Sequence, residues 1–275
     1  MRYLMETANN IILFPDFQRL KEEIERMKTE LSMLLLERDE LQFVVSKNID
    51  TRYMLALGGL EYKAYEAQCA ALRLKRKIEL IQALKNRQET VVMSAIEDTL
   101  DAEFAEYQQK LNEQIERMNE ALERSQCEVL TDEENKELKR IYREVVKTLH
   151  PDLNPKVSEA QIKLFENAVQ AYKNGDLGTL RIIHEMVADQ KLPNDVELDT
   201  MSLLREKHED LVKLIAAIRE SIAKIKSQYP FTVLDILDDP QKLSERKKEL
   251  QGIKSQYDDL IEFYTKKLHD MVKKD

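Results

Sequence analysis

The chain has 275 residues, 35% of them charged, and its formal net charge of −9 would repel a phosphate backbone, so nucleic acid is not an expected partner. With 5 Gly, 6 Pro and only 6% aromatic residues, it runs over long stretches without turn signals, which predicts an all-α fold of long helices. No run of about 18 apolar residues occurs, so we expect a cytoplasmic protein with no membrane contact.

The first 14 residues are predicted to form a separate N-terminal segment, and a helical coiled-coil arm is predicted over residues 15–128. The short apolar stretch Ile11–Phe14 lacks the features of a cleaved signal peptide. From Pro15 onward, apolar residues recur at alternating spacings of three and four, which is typical of a coiled-coil seam. The seam consists of Phe17, Leu20, Ile24, Met27, Leu31, Leu34, Leu41 and Val45.

A second seam follows in the same arm. Asn48 and Asp50 favour a turn within residues 46–51, and a short turn between two seamed helices predicts an antiparallel hairpin. The second seam consists of Leu60, Ala64, Ala67, Ala71, Leu74, Ile78 and Ile81. A third helix after Val92, with Phe104 and Leu111 on one side, is expected to pack back on this hairpin.

The two cysteines, Cys69 and Cys127, have no other Cys or His nearby at the spacing of metal ligands. This pattern argues against a zinc site, a redox pair and a disulfide framework. We therefore expect neither a metal nor a cofactor, and interpret both cysteines as packing residues.

Residues 129–188 form a predicted central module that opens with a well-marked helix. Thr131 followed by Glu134 is a capping box, so a helix should begin there. Its apolar stripe consists of Leu138, Ile141, Val145 and Leu149. The helix should end at His150, because Pro151 disfavours helical geometry in the residue before it.

A second capped helix completes the predicted hairpin of the module. Ser158 followed by Gln161 is another capping box, and Asn174-Gly175 is a typical left-handed helix end. Two such amphipathic helices should pack antiparallel and present the loop between them at an exposed end. The segment Leu177–Met186 is predicted to add a closing helix.

The run from Tyr142 to Pro155 reads Tyr-Arg-Glu-Val-Val-Lys-Thr-Leu-His-Pro-Asp-Leu-Asn-Pro. It resembles the second helix and signature loop of J-domains, the DnaJ family of co-chaperones. Phe165 and the pair Ala171-Tyr172 resemble the third helix of that family, so the resemblance extends over about residues 131–186.

The resemblance implies a co-chaperone that docks on a DnaK-type chaperone and stimulates ATP hydrolysis by that partner. It assigns the residues of the stimulating loop, which are His150, Pro151 and Asp152. It also assigns an exposed docking face, which consists of Lys139, Tyr142 and Arg143. Glu144 departs from the pattern, since the family usually keeps a basic residue there.

The charge pattern of the same helix independently predicts a basic docking surface. Between residues 136 and 147, five cations stand against Glu137 and Glu144; they are Lys136, Lys139, Arg140, Arg143 and Lys147. We therefore add Arg140 and Lys147 to the predicted chaperone-binding residues. Such a surface favours an acidic partner and a transient, salt-sensitive contact.

A polar linker is predicted at residues 189–199, followed by a C-terminal helical hairpin over residues 200–275. Pro193 marks the linker, and Tyr229-Pro230 should stop the first helix of the hairpin. The first seam consists of Met201, Leu204, His208, Leu211, Ile215, Ile218, Ile222 and Ile225, and the return seam consists of Leu250, Ile253, Tyr257, Leu260, Tyr264, Leu268 and Met271.

Several interpretations of the whole chain stay open. The arms either position the J-like module or recruit a client protein, and seams that close between two chains would give a homodimer. In one alternative, the chain is a structural coiled-coil scaffold whose J-like segment is a non-functional spacer. An enzyme is not expected, because the charged residues lie on helical surfaces and no convergent pocket can be inferred.

Overall fold

The structure is a computed structural model of the chain and describes residues 15–126, 130–188 and 201–273. Within these ranges the regular secondary structure is entirely helical, so the predicted all-α fold is confirmed. The α-helices are α1 (Pro15–Glu40), α2 (Ser46–Tyr53), α3 (Gly59–Asn86), α4 (Met93–Gln126), α5 (Asp132–Leu149), α6 (Glu159–Asn174), α7 (Leu177–Ala188), α8 (Met201–Lys226), α9 (Leu234–Leu237) and α10 (Pro240–Val272). Among these helices, none combines the length and apolarity needed to cross a membrane. The predicted N-terminal segment and linker lie outside the described residues.

The predicted turn at residues 46–51 is wrong. Residues 15–86 are helical throughout, with two π-helical segments at Leu41–Val45 and Met54–Gly58. Asn48 and Asp50 lie inside α2. Unlike proline, both residues keep a backbone N–H that can donate to a helical hydrogen bond, so a helix tolerates them. A hairpin that turns at this position is therefore excluded.

The chain divides into two compact units that are each discontinuous in sequence. Residues 15–45, 130–188 and 201–228 form the first unit, and residues 46–126 and 229–273 form the second. We predicted continuous domains from the sequence instead. An apolar seam indicates that a helix packs against a partner, but it does not identify which helix that partner is.

In the first unit, α1 packs along α8, and the two helices run parallel. The direction follows from ion pairs that advance together along both helices, joining Glu23 to His208 (3.3 Å), Glu30 to Arg219, and Glu37 to Lys226 (2.8 Å). Leu31 and Leu35 of α1 and Leu211 of α8 are buried in one core with the apolar residues of α5, α6 and α7. The prediction that α8 returns through α10 as an antiparallel hairpin is therefore wrong.

In the second unit, α3 has two partners of opposite direction. It runs parallel to α10, as shown by contacts of Glu61 with Arg246 (3.8 Å) and of Lys85 Nζ with the Met271 carbonyl (2.7 Å). It runs antiparallel to α4, which it meets through pairs of Arg73 with Asp101 (2.6 Å) and of Lys77 with Glu97. The third predicted helix thus packs on α3, although the hairpin on which it was expected to pack does not form.

The α1 seam gives a direct test of this pairing. Replacing the fully buried Leu31 by Ala should lower the free energy of unfolding by about 2–5 kcal/mol, because the cavity cannot be refilled. The same truncation at Met33, which lies two residues away and is 59% exposed, should change it by less than about 0.5 kcal/mol. Urea unfolding measures both, and equal effects would contradict the assignment of this seam.

Candidate protein-docking site

The hairpin of α5 and α6 is fixed at its ends by the predicted caps. The Thr131 hydroxyl accepts from the Glu134 amide (3.2 Å), and the Glu134 carboxylate accepts from the Thr131 amide (2.9 Å). Ser158 and Gln161 repeat this reciprocal pair at the start of α6, at 3.3 and 2.8 Å. Gly175 ends α6 with a φ of 69°, in the left-handed region. Both capping boxes and the glycine cap are therefore confirmed.

Two aromatic pairs hold α5 against α6. The rings of Tyr142 and Tyr172 stack with centroids 4.1 Å apart, and His150 meets Phe165 edge to face at 5.1 Å. Because His150, directly after α5, meets the earlier of the two α6 residues, the helices are antiparallel, as predicted. α7 packs on both helices and closes the module.

His150 lies inside the module and anchors the loop. Only 6% of its surface is exposed, so the expectation that this residue is presented to a partner is wrong. Its Nδ1 accepts from the Asp152 amide (3.1 Å), and its carbonyl accepts from the amides of Leu153 (3.0 Å) and Asn154 (2.9 Å). The ring fills the space beside Phe165 and sets the path of the chain through Pro151.

Asn154 completes the end of α5. Its side-chain amide donates to the carbonyls of Lys147 (2.8 Å) and Thr148 (3.0 Å), which have no partner within the helix. The turn is therefore determined by hydrogen bonds on both sides. Its outward parts are the half-buried Pro151 and the Asp152 side chain, which is 40% exposed.

Burial lowers the pKa of His150 below its ordinary value. The charge of Asp152 opposes this shift, as does that of Asp39, whereas the charge of Arg38 adds to it. The net result is a lowered pKa. The ring is therefore neutral at neutral pH, which agrees with Nδ1 accepting a hydrogen bond.

The outer face of α5 carries the predicted basic surface. Lys136, Arg143 and Lys147 are exposed, and their side chains have no ion-pair partner within the described part of the chain. Arg140 is also exposed and pairs with Glu144 at 3.0 Å. Their spacings of four, three and four residues place these cations along one face of the helix. We call them the basic stripe.

Lys139 and Tyr142 are not free, in contrast to the exposed face expected from the resemblance. Tyr142 has no exposed surface, and its hydroxyl donates to Asp39 Oδ2 of α1 at 2.7 Å. Burial, followed by the nearby Asp39 charge, raises the pKa of Tyr142 well above its usual range. The Lys139 ammonium pairs with Glu40, the last residue of α1. Helix α1 thus covers this part of α5.

Glu144, the departure from the family pattern, has a partner inside the module. One of its carboxylate oxygens lies 2.5 Å from His184 Nε2 of α7, and the other accepts from Arg140. Burial raises the pKa of Glu144, but the contacts with His184 and Arg140 outweigh it, so the net pKa is lowered. Glu144 of α5 therefore links this helix to α7 through His184.

Metal ligation finds no support in the described parts of the chain, where no group of three or more His, Cys, Asp or Glu could hold an ion. Cys69 is a buried free thiol of α3, and burial raises its pKa. Cys127 lies outside the described residues.

Comparisons with protein-family models, with curated proteins and with solved structures gave no match for this chain. The resemblance to J-domains therefore rests on the residues of α5, the loop and α6.

Sequence reasoning missed the contribution of α1 to this site. The available signal is Arg38, a charged residue at the position between Leu34 and Leu41 where the seam spacing calls for an apolar one.

The contact between Tyr142 and Asp39 can be tested by removing one oxygen atom. Tyr142→Phe keeps the ring stack and leaves the buried carboxylate with one donor fewer, so the free energy of unfolding should fall by about 1–3 kcal/mol. Tyr62→Phe is the matched control, because the Tyr62 hydroxyl meets Glu66 on the exposed surface of α3. An equal loss in both variants would contradict a buried role for Tyr142.

His150 should make the folded state sensitive to mild acid. The unfolded chain binds a proton at the ordinary histidine pKa, about 6.5, while the folded chain resists it, so stability is full above that pH and falls as the pH drops below it. Urea unfolding over about pH 5 to 7.5 should show that the free energy of unfolding depends less on pH in His150→Gln than in wild type. An unchanged slope in His150→Gln would contradict the burial of this imidazole.

Proposed function

We propose that the chain is a J-domain-like co-chaperone that docks on a DnaK-type chaperone and stimulates its ATP hydrolysis. The observation that carries the proposal is the exposed Asp152 carboxylate, held on a hydrogen-bonded turn directly after a helix with an exposed basic stripe. In this proposal Pro151 and Asp152 contact the partner. His150 is a positioning residue that holds them in place.

The basic stripe supports docking on an acidic surface. Arg143 and Lys147 are free to exchange their hydration for carboxylates of a partner, and arginine can do so with two parallel hydrogen bonds. Charges at the rim of an interface chiefly raise the association rate and fix orientation. A transient contact that weakens with salt follows from this, and it suits a cycle of repeated docking and release.

The rigidity of the turn supports the second part of the proposal. A loop that is already held by His150 and Asn154 loses little conformational entropy when a partner binds it. The Asp152 carboxylate can then accept hydrogen bonds from partner arginine or backbone donors in a fixed direction. The chemistry of ATP hydrolysis stays with the chaperone.

A second candidate is a structural coiled-coil scaffold in which the J-like hairpin is a spacer. The burial of His150 and Tyr142 favours it, because two residues that the family pattern assigns to partner contact serve the core of the first unit instead. In either case, the parallel helix pairs of the two units provide long surfaces for positioning or for recruiting a client protein.

A single-turnover ATPase assay with a DnaK-type chaperone tests the proposal. The full chain should accelerate hydrolysis, less so at high salt. Asp152→Asn and the double variant Arg143→Glu, Lys147→Glu should each reduce the stimulation by at least about tenfold, equivalent to about 1.4 kcal/mol of partner contact.

Lys163→Glu is the control for charge reversal, because Lys163 is an exposed cation of the same module that lies on α6, outside the basic stripe. It should keep the stimulation within about twofold of wild type. No stimulation by the wild-type chain at any concentration would favour the scaffold.

A further inference from the structure

We infer that α1 is an internal competitor for the docking surface: its Asp39 and Glu40 occupy Tyr142 and Lys139, and an acidic segment of the partner replaces them when it docks. The inference rests on the proposed function. It adds that part of the docking surface, Lys139 and Tyr142, is regulated by α1. The basic stripe and Asp152 stay open in the free protein, whereas Lys139 is held in an ion pair and Tyr142 is buried while the end of α1 lies against α5.

The contacts that α1 makes here are those expected from an acidic partner. Asp39 Oδ2 accepts from the Tyr142 hydroxyl at 2.7 Å, while Oδ1 accepts from Arg38 Nε and Nη2 at 2.9 and 2.7 Å. Glu40 pairs with Lys139. Two adjacent carboxylates thus satisfy two donor residues of α5, which the family resemblance assigns to the docking face together with Arg143. The segment that replaces α1 must therefore supply carboxylates at a similar spacing.

The contacts of α1 with α8 and its polar contacts with α5 involve different parts of the helix. The helix packs along α8 through most of its length, whereas its polar contacts with α5 come from the last two residues of α1. Directly after Glu40 the chain enters the π-helical segment Leu41–Val45, where the backbone has already left α-helical geometry. The ion pairs of Glu30 and Glu37 are made to α8 and are separate from the polar contacts with α5.

The electrostatics of Asp39 also favour exchange over permanent closure. The Asp39 side chain is almost fully buried, so the attraction of Arg38 and the hydrogen bond from Tyr142 are offset by the cost of removing the carboxylate from water. A contact of this kind is specific in its geometry while adding little net stability. The apparent affinity for the partner is then reduced by the fraction of molecules in which α1 covers α5.

Binding of a DnaK-type chaperone and stimulation of its single-turnover ATPase, measured at subsaturating concentrations of the full chain, test the inference. Glu40→Gln and Asp39→Asn should each raise both quantities by about threefold to tenfold over wild type, because the covering helix is held less tightly. Glu37→Gln is the matched control, since it removes an α1 ion pair of the same kind that is made to Lys226 of α8. It should stay within about twofold of wild type.

A second measurement needs no chaperone. The rate at which acetic anhydride modifies Lys139, read by mass spectrometry of the folded full chain, should rise in Asp39→Asn, which leaves Glu40 in place, and should stay unchanged in Glu37→Gln. An unchanged rate in Asp39→Asn would overturn the inference. Circular dichroism melting of each variant checks that the chain remains folded.

The two proposals fail in different ways. If wild type and all variants stimulate the chaperone equally while Lys139 becomes more reactive in Asp39→Asn, the competitor role of α1 is overturned and the proposed function stands. If neither wild type nor any variant stimulates the chaperone, the proposed function fails and the competitor role fails with it.

Discussion

The architecture depends on one constraint, the absence of a helix break between residues 15 and 86. The seam of α1 is not closed by residues 46–86, which belong to the other compact unit. It is closed by α8, and the seam of α3 is closed by α10 and α4. The discontinuous units follow directly, since the partner of each seam comes from a distant part of the sequence.

Features that depend on neighbouring residues could be predicted from the sequence, and features that depend on distant ones could not. The caps at Thr131 and Ser158 use side chains within three residues of the backbone they satisfy, the cap at Gly175 uses a left-handed backbone, and all three are as expected. The turn predicted at residues 46–51 rests on the local preferences of Asn48 and Asp50, and helical continuity overrides them. The parallel direction of the α1 and α8 pair has no local signature, because it is set by which seams remain open.

The candidate site shows the same division. The exposed basic stripe and the helix end at His150 follow from charge spacing and from Pro151. The burial of Tyr142 does not, since it requires Asp39 from a helix about a hundred residues earlier. A resemblance to a family describes the surface of its isolated module, so it cannot reveal that another element of the chain lies on that surface.

The parallel pairing of α1 with α8 also shapes how the protein is made. The ion pair of Glu30 with Arg219 joins residues 189 positions apart, so the apolar seam of α1 leaves the ribosome long before its partner has been translated. Contacts between residues so far apart in sequence slow folding relative to a helical bundle of neighbouring segments. They also leave the apolar seam of α1 exposed to solvent during synthesis. The many charged residues that flank this seam in α1 would then oppose aggregation of the unpaired helix until α8 has been synthesised.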